Sequence, residues 1–424
     1  MKKICVIGLG YIGLPTTAIL ALHEYKVIGV DINEKILEKL NKGEIHFTEP
    51  FLGNIVKTMV DKEKIMGKTQ PEKADVFIIA VPTPCKEDKS CDLTYLISAV
   101  KSILPYIEKD NIIIIESTIP PGTTDGIIKS IIEEKTKFKV GHNIYLAHCP
   151  ERVLPGNIIK EIVENNRIVG GCTRECSQKA ANVYRAFVKG EIFVTDAKTA
   201  EMSKLMENTF RDVNIALANE LVTISNHLQI NGLDVISIAN KHPRVNIHNP
   251  GPGVGGHCLA IDPYFIIEKA PQLSNIISTA RKVNSSMPHY ILSNVKELMK
   301  DIHNPKIAVF GITYKGNVTD IRESPAIEII KLLENENFKI SIYDPHVQGE
   351  NLNIVSIDEA VEGADMILIL AAHDEFKNLN YINLIKTMKN PIIFDTTNII
   401  NLKNYDNTHI NIKNLGNLFH NSYT

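Results

Sequence analysis

A single cysteine in a glycine-rich stretch has the residue type and the surroundings that nucleophilic chemistry needs. The stretch is Gly-Pro-Gly-Val-Gly-Gly-His-Cys-Leu-Ala-Ile-Asp-Pro at residues 251–263. Its glycines and prolines cannot form the interior of a helix or strand, so the backbone must turn tightly there and present Cys258 on a loop. Asp262 follows four residues later, near enough to orient a water or a base. The sequence therefore predicts a nucleophilic thiol; the alternative is a buried structural thiol in a glycine-rich turn.

Gly8, Gly10 and Gly13 form the pattern that holds the pyrophosphate of a dinucleotide. They come directly after a short apolar run at residues 4–7, and a helical segment and a second apolar run, which ends at Asp31, come after them. A dinucleotide site requires this order of strand, Gly-x-Gly-x-x-Gly, helix, strand and acid. A carboxylate at position 31 accepts hydrogen bonds from ribose hydroxyls and repels a 2′-phosphate, so NAD is favoured over NADP.

Hydroxyl and charged side chains follow the later apolar runs of the first third. They are Thr83 after residues 74–80, Ser117 and Thr118 after residues 111–116, and Glu151 and Arg152 after residues 143–147. Because the carboxyl ends of buried parallel strands carry the ligand, we expect these side chains to lie at one crevice. The alternative for the three hydroxyls is that they cap the helices that follow.

Residues 198–231 contain neither proline nor glycine and predict one long helix. Lys204, Asn208 and Arg211 fall on one of its faces, where they act on a ligand or form a solvated polar stripe. The helix is polar on several sides, which is typical of a helix that bridges domains or contacts another subunit.

The C-terminal third repeats the N-terminal segments in order. Segments 306–311, 339–344, 364–371 and 391–397 correspond to segments 3–8, 26–31, 74–80 and 111–118. The repeat predicts a second α/β sheet of related topology. It lacks the three-glycine pattern, and Lys315 and Arg322 stand there instead, which indicates an anionic group of a different ligand.

The predicted fold is α/β, with two Rossmann-like parallel-sheet domains joined by a long central helix. We place an NAD-binding Rossmann domain at residues 1–197, a central helical domain with the cysteine loop at 198–300, and a Rossmann-like ligand-binding domain at 301–424.

Bulk composition argues against several classes of partner. The formal net charge is −3 without a basic run, so neither nucleic acid nor an anionic membrane is expected, and no apolar run is long enough to span a bilayer. The seven cysteines are odd in number and irregularly spaced, which predicts reduced thiols and a cytoplasmic location. The pairs His148 with Cys149 and Cys172 with Cys176 lack a second pair at zinc spacing, so no metal is expected.

Together these residues resemble the nucleotide-sugar 6-dehydrogenases of the UDP-glucose/GDP-mannose dehydrogenase superfamily along essentially the whole chain. The matching landmarks are Gly8/Gly10/Gly13, Ser117-Thr118, Pro150-Glu151-Arg152, Lys204 with Asn208, Gly255-Gly-His-Cys258 with Asp262, and Lys315 through Asp320-Ile-Arg322-Glu-Ser-Pro325. Residues 148–156, 242–247 and 257–263 are most similar to members that act on UDP-N-acetyl-D-mannosamine. Ile261 stands where members that act on UDP-glucose have a lysine; this argues against UDP-glucose but leaves UDP-N-acetylglucosamine as an alternative.

The resemblance implies a four-electron oxidation at C6 of a UDP-N-acetylhexosamine, with two NAD⁺ consumed in turn. Cys258 would add to the intermediate aldehyde to form a thiohemiacetal, whose oxidation leaves a thioester for water to hydrolyse. Lys204, or a water held by Asp262 and Thr118, would serve as the base or stabilise the alkoxide. Glu151 would give acid/base help in the hydrolysis.

The expected site residues fall into three groups. The catalytic group is Cys258, Lys204, Asp262, Glu151, Thr118 and Asn208. The NAD-binding group is Gly8, Gly10, Tyr11, Ile12, Gly13, Asp31, Thr83, Ser117, Thr118 and Arg322. The substrate-binding group is Glu151, Arg152, Val153, Lys204, Asn208, Arg211, His242, Arg244, Gly255 and Lys315.

Two other functions stay open, together with the assembly state. A one-step NAD dehydrogenase of the hydroxyacid or 6-phosphogluconate kind would share the glycine pattern and the central-helix Lys204 and Asn208, but would need no thiol. A non-enzymatic NAD-sensing protein is the third possibility. The polar central helix further predicts a homodimer or higher homo-oligomer.

Overall fold

The computed structural model describes residues 2–154, 156–347, 352–405 and 410–418. The chain divides into two compact units: unit 1 is Met1–Glu207 with Tyr264–Pro271, and unit 2 is Asn208–Pro263 with Gln272–Thr424. The three-domain division at residues 197 and 300 stays a prediction, since compactness alone groups the chain into two.

The described ranges contain the following strands and helices. The strands are β1 (Lys3–Ile7), β2 (Lys26–Val30), β3 (Ile65–Lys68), β4 (Val76–Ile79), β5 (Ile112–Ile115), β6 (Tyr145–His148), β7 (Arg167–Gly171), β8 (Ile192–Asp196), β9 (Lys306–Phe310), β10 (Lys339–Tyr343), β11 (Met366–Ile369), β12 (Ile392–Asp395) and β13 (Asn411–Asn414). The helices are α1 (Gly13–Leu22), α2 (Glu34–Asn41), α3 (Leu52–Asp61), α4 (Thr94–Ile103), α5 (Lys129–Lys135), α6 (Ile158–Glu164), α7 (Arg174–Tyr184), α8 (Ala197–His227), α9 (Gly232–Ala239), α10 (Asp262–Lys269), α11 (Asn275–Leu298), α12 (Pro325–Asn335), α13 (Ile357–Val361), α14 (Asp374–Lys377) and α15 (Tyr381–Leu384).

Unit 1 is built on an eight-stranded sheet in the order β3-β2-β1-β4-β5-β6-β7-β8. All neighbouring pairs are parallel except β6 with β7. Strands β4 and β5 consist of apolar residues that are all buried, as expected for parallel strands covered on both faces. The first six strands have the order found in dinucleotide-binding sheets, whose ligands lie where the order reverses, at β1 and β4.

Unit 2 contains a five-stranded, fully parallel sheet in the order β10-β9-β11-β12-β13. This is the other common doubly wound order, and it reverses at β9 and β11. The four apolar runs predicted for the C-terminal third form β9, β10, β11 and β12. The prediction of two Rossmann-like sheets is therefore confirmed.

The internal repeat extends to the hydrogen bonds at the two switch points. The Leu9 N–H donates to Asp31 Oδ2 at 2.9 Å, and the Ile312 N–H donates to Asp344 Oδ2 at 2.8 Å. The second acid differs in its surroundings, because it is buried and Nε2 of His373 lies 3.2 Å from the same oxygen. The same loop thus ends at a partly accessible carboxylate in unit 1 and at an enclosed one in unit 2.

Helix α8 runs without interruption for 31 residues and confirms the long central helix. Within the described ranges, none of the helices combines the length and the apolar character that crossing a bilayer demands.

Candidate functional site

The three glycines after β1 have different surroundings, which fit three different roles. Gly8 has φ +91°, and a Cβ there would lie 2.6 Å from the Ala80 carbonyl oxygen. A Cβ on Gly13 would lie 1.8 Å from the Gly8 carbonyl oxygen. By contrast, a Cβ on Gly10 would meet nothing within 4 Å. The loop is therefore closed against the protein at Gly8 and Gly13 and open at Gly10, where the pyrophosphate of a dinucleotide would approach the backbone.

Asp31 lies beside this loop. Besides the Leu9 N–H, its carboxylate accepts the Asn33 N–H at 2.9 Å, so backbone donors fix its orientation. Tyr11 is exposed, and its ring centroid lies 4.4 Å from that of Phe47. Neither backbone partner of the carboxylate could be read from the sequence pattern.

The hydroxyls after β4 and β5 connect neighbouring loops and do not cap helices. Thr83 donates to the Thr118 carbonyl oxygen at 2.6 Å, and Ser117 donates to the Val81 carbonyl oxygen at 2.7 Å. The capping alternative is wrong, because α4 begins after Leu93 and the helical turn of Thr123–Ile128 begins after Gly122. Two predicted cofactor loops are thereby tied to each other.

Glu201, in the first turns of α8, ties that helix to the loop after Thr118. Its fully buried carboxylate accepts the Gly122 N–H at 2.6 Å and the Thr124 N–H at 2.8 Å. Lys204, half-buried, lies one helical turn further along α8. The sequence showed Glu201 only as a polar residue on a polar helix, because its partners are far away in the chain.

Glu151 belongs to a buried charge cluster. Its carboxylate pairs with the guanidinium of Arg167, whose Nη1 lies 4.0 Å from Glu116 Oε1. Tyr184 donates to Glu116 at 2.7 Å, and all four side chains are buried. Burial raises the pKa of Glu116 to about 7, although the charge of Arg167 opposes the shift. The guanidinium of Arg167 thus lies beside two carboxyl groups. Nothing in the sequence indicated this role for Arg167.

The raised pKa of Glu116 predicts a pH-dependent stability. Since its ordinary pKa is 4.5 and its folded value is about 7, the folded state holds a proton that the unfolded state has lost, and stability falls as pH rises through that window. The wild-type free energy of unfolding should therefore decrease between low and neutral pH. In Glu116→Gln this decrease should be smaller by up to about 3 kcal/mol. Denaturant unfolding at pH 5 and pH 7.5 measures it, with exposed Glu164→Gln as the control; equal pH dependence in both variants would contradict the assignment.

The loop after β6 is held from two sides. Arg152 makes a bidentate pair with Glu207, at 3.0 Å from Nε and 2.6 Å from Nη2. The buried carboxylate of Glu49 accepts the N–H groups of Gly156 and Ile158, both at 2.8 Å. The guanidinium of Arg152 is therefore engaged by protein in this structure, and Glu49 is a contributor that the sequence did not indicate.

The cysteine loop lies in unit 2, with Cys258 exposed. A Cβ on Gly255 would lie 2.3 Å from the Glu323 carbonyl oxygen. Gly256 has φ +83°, and a Cβ there would lie 2.8 Å from the ring of Tyr314. The alternative of a buried structural thiol is wrong. The two glycines are needed because the backbone of Glu323 and the ring of Tyr314 approach the loop closely.

Tyr314 is a site residue that the sequence did not single out. Burial raises its pKa, and the charges of Asp320 and Cys258 raise it further. Arg322 donates to Asp320 through Nε at 2.9 Å and Nη2 at 2.7 Å, and this pairing lowers the pKa of Asp320. Tyr314, Asp320 and Arg322 thus form a polar group beside the cysteine loop.

The far end of the cysteine loop is anchored on α8. Asn208 donates from Nδ2 to Asp262 Oδ2 at 2.5 Å, and both side chains are buried. The guanidinium of Arg211 donates to Asn208 Oδ1. Three predicted site residues are therefore in one hydrogen-bonded chain, with Asp262 at the first position of α10.

The remaining predicted residues are mostly exposed or half-buried. Half-buried are Ile12, Val153, Thr118 and Gly255, and exposed are His242, Arg244, Lys315 and Arg211.

Unit 2 also contains three residues of types that can bind a metal, His346, His373 and Glu375, whose ligand atoms lie within 4.8 Å of one another. Nδ1 of His373 accepts the Asn317 N–H at 2.9 Å. In the neutral ring the proton is then on Nε2, which faces Asp344 at 3.2 Å. A metal needs an unprotonated ring nitrogen, so the buried His373 is better explained by its hydrogen bonds, with the half-buried His346 and the exposed Glu375 beside it.

Three parts of the chain match the UDP-glucose/GDP-mannose dehydrogenase family. Residues 2–188 match its NAD binding domain, residues 198–286 its central domain, and residues 308–402 its UDP binding domain.

The chain is also similar over nearly its full length to individual proteins. It is 52% identical to a UDP-N-acetyl-D-mannosamine dehydrogenase of Methanocaldococcus jannaschii, covering 98% of this chain and 96% of that protein. The structure of the UDP-N-acetyl-mannosamine dehydrogenase Cap5O from S. aureus superposes with a TM-score of 0.90 at 51% identity, covering 98% of this chain and 99% of the other. The structure of a UDP-D-ManNAc dehydrogenase from Pyrococcus horikoshii superposes with a TM-score of 0.91 at 40% identity, covering 98% of this chain and 99% of the other.

Proposed function

The chain belongs to the UDP-glucose/GDP-mannose dehydrogenase family, and we propose that within it the chain oxidises UDP-N-acetyl-D-mannosamine at C6 to UDP-N-acetyl-D-mannosaminuronate. The names of its similar relatives support this substrate, and the exposed thiol on the glycine-rich loop supports a four-electron reaction that passes through an enzyme-bound intermediate. That exposed thiol is the observation on which the proposal depends.

NAD is the cofactor, and the residues after β1 fit it. The open space at Gly10 would receive the pyrophosphate, and the carboxylate of Asp31 would accept hydrogen bonds from the ribose hydroxyls. When bound, NAD accepts the hydride removed from C6. We assign further cofactor contacts to Tyr11, Ile12, Gly8, Gly13, Thr83, Ser117, Thr118 and Arg322.

Cys258 supplies the covalent chemistry. Its thiolate adds to the C6 aldehyde and forms a C–S bond, which gives a thiohemiacetal whose C6 carries the second hydride. Loss of that hydride, which a second NAD⁺ would accept, and of the hydroxyl proton leaves a thioester. Attack of water then breaks the C–S bond, releases the carboxylate and restores the thiol. A free thiol titrates near about 8.5, and we assign to Lys204 and to backbone N–H groups of the loop the role of favouring the thiolate.

The other catalytic residues hold protons and water. Lys204, or a water held by Asp262 and Thr118, takes the proton of the C6 hydroxyl or stabilises the alkoxide. The amide of Asn208 fixes the carboxylate of Asp262, which supports a positioning role for both. Glu151 assists the hydrolysis. Substrate contacts are assigned to Arg152, Val153, Lys204, Asn208, Arg211, His242, Arg244, Gly255 and Lys315.

The closest alternative is oxidation of UDP-N-acetylglucosamine, since no residue discussed above separates the two epimers on physical grounds. A one-step hydroxyacid-type dehydrogenase is less well supported, because it gives no use to an exposed Cys258. An NAD-sensing protein is also less well supported, because it would need neither Cys258 nor the hydrogen-bonded pair of Asn208 and Asp262.

The purified protein should be assayed with NAD⁺ against UDP-N-acetylmannosamine, UDP-N-acetylglucosamine and UDP-glucose. We expect two NADH per sugar and a kcat/KM for the mannosamine compound at least about tenfold above the others. A higher kcat/KM for UDP-N-acetylglucosamine would select the alternative substrate. One NADH per sugar would select a one-step reaction, and no NADH with any of the three would select a sensor.

We further propose a homodimer or higher homo-oligomer formed through α8. Phe210, Leu217 and Ile224 are exposed on this helix, and their seven-residue spacing puts them on one face. Sedimentation analysis tests the assembly. A cytoplasmic location is proposed from the odd, irregularly spaced set of seven cysteines.

A further inference from the structure

Helix α8 anchors both ends of the cysteine loop through asparagine side chains. At the start of the loop, the Gly251 N–H donates to Asn219 Oδ1 at 2.9 Å. At its end, Asn208 donates to Asp262. Eleven residues make just over three helical turns, so the two asparagines share a face of α8, about 16 Å apart. Cys258 therefore lies on a segment held at two points.

Asn219 is itself held by a buried polar chain. Its Nδ2 donates to Asn284 Oδ1 at 2.9 Å. Nδ2 of Asn284 donates to Asp212, to Oδ1 at 2.8 Å and to the carbonyl oxygen at 2.9 Å. Arg281 on α11 completes the chain with an ion pair to Asp212 Oδ1 at 2.5 Å. All four side chains are buried, so an unmet donor or acceptor among them would be costly.

Asp212 gives this chain a direction. Its backbone carbonyl oxygen only accepts hydrogen bonds, so the amide nitrogen of Asn284 must face it. The oxygen of Asn284 then faces Asn219, whose amide nitrogen must point toward Asn284. As a result the oxygen of Asn219 is presented to the Gly251 N–H. A flip of either amide would place two donors or two acceptors opposite each other.

We propose that Asn219 is a positioning residue for the Cys258 loop, oriented by Asp212 through Asn284. The inference rests on the proposed function, because that function gives the loop its nucleophile. The loop depends on such an anchor since it is irregular, and Gly253 within it adopts φ +139°. A displacement of the reacting atoms by about 1 Å can cost on the order of 100-fold in rate.

The test compares Asn219→Ala with Asn226→Ala. Asn226 is a matched control because it is also a buried asparagine of α8, but it donates to Tyr290 and to the Leu415 carbonyl oxygen, not to the loop. In Asn219→Ala, backbone amides of residues 251–258 should exchange with deuterium roughly 5- to 10-fold faster. The kcat should fall about 10- to 100-fold with KM within about threefold, and more aldehyde should be released per NADH. Asn226→Ala should show none of these effects.

Asn219→Asp provides a conservative second variant, which keeps the acceptor for Gly251 and loses the donor to Asn284. Its loop exchange should lie between wild type and Asn219→Ala. Unchanged loop exchange in both Asn219 variants, or equal effects in the Asn226 control, would overturn the proposal. The exchange measurement needs no substrate, so it decides the positioning role even if the wild-type protein yields one NADH per sugar and the proposed reaction fails.

Discussion

Cys258→Ser should abolish carboxylate formation while leaving slow release of aldehyde. A serine hydroxyl stays protonated at neutral pH, so it cannot add to the aldehyde as the thiolate does, and the second oxidation loses its substrate. We expect the rate of acid formation to fall on the order of 10³-fold or more. The NADH yield should drop from two per sugar toward one. Chromatographic separation of the acid, together with aldehyde trapping by a hydrazine, measures both products.

Cys172→Ser is the matched control, because Cys172 is half-buried in unit 1 and burial raises its pKa. It should retain the wild-type kcat within about twofold. Full carboxylate yield from Cys258→Ser would remove the thioester route and leave a reaction that needs no thiol. Loss of the first NADH as well would show that Cys258 is also needed to hold the substrate.

Most of the strands and their ligand-bearing ends were predictable from the sequence because the signal for both is local. A buried parallel strand is a continuous apolar run, and the residue after it lies at the ligand edge of the sheet. Strands β3, β7, β8 and β13 were not predicted. β7 was missed because Arg167–Gly171 ends in two glycines. A Cβ on Gly170 would lie 2.3 Å from the Asp196 carbonyl oxygen, so close packing against a later part of the chain requires glycine where strand propensity would not place it.

The partners of the predicted site residues were not predictable, because they come from distant parts of the chain. Glu201 accepts hydrogen bonds from the loop after β5, Arg167 pairs with Glu151, and Asn219 accepts a hydrogen bond from the Gly251 N–H. Each looks in the sequence like an ordinary polar residue. What distinguishes them is burial together with a partner, and both depend on the tertiary structure.

Gly10→Ala and Gly13→Ala should separate cofactor binding from stability: Gly13→Ala should lower stability, and Gly10→Ala should weaken NAD binding. A Cβ on Gly13 would overlap the Gly8 carbonyl oxygen at 1.8 Å, and both groups belong to backbone that cannot rotate away. We expect the midpoint of thermal unfolding to fall by about 6–12 °C or more, which corresponds to roughly 3 kcal/mol. Circular dichroism of the cofactor-free protein measures the shift.

Gly10→Ala instead leaves the protein's own contacts intact. Its Cβ would meet nothing within 4 Å, and its φ lies outside the left-handed region, so thermal unfolding should shift by less than about 2 °C. The methyl group nevertheless occupies the space by which the pyrophosphate reaches the backbone, and the Kd for NAD measured by calorimetry should rise at least about tenfold. Unchanged NAD affinity in Gly10→Ala would show that the open space is not the pyrophosphate site. Since a Cβ on Gly10 would meet nothing in the protein within 4 Å, a loss of NAD binding without a loss of stability would locate the cofactor's contact at Gly10.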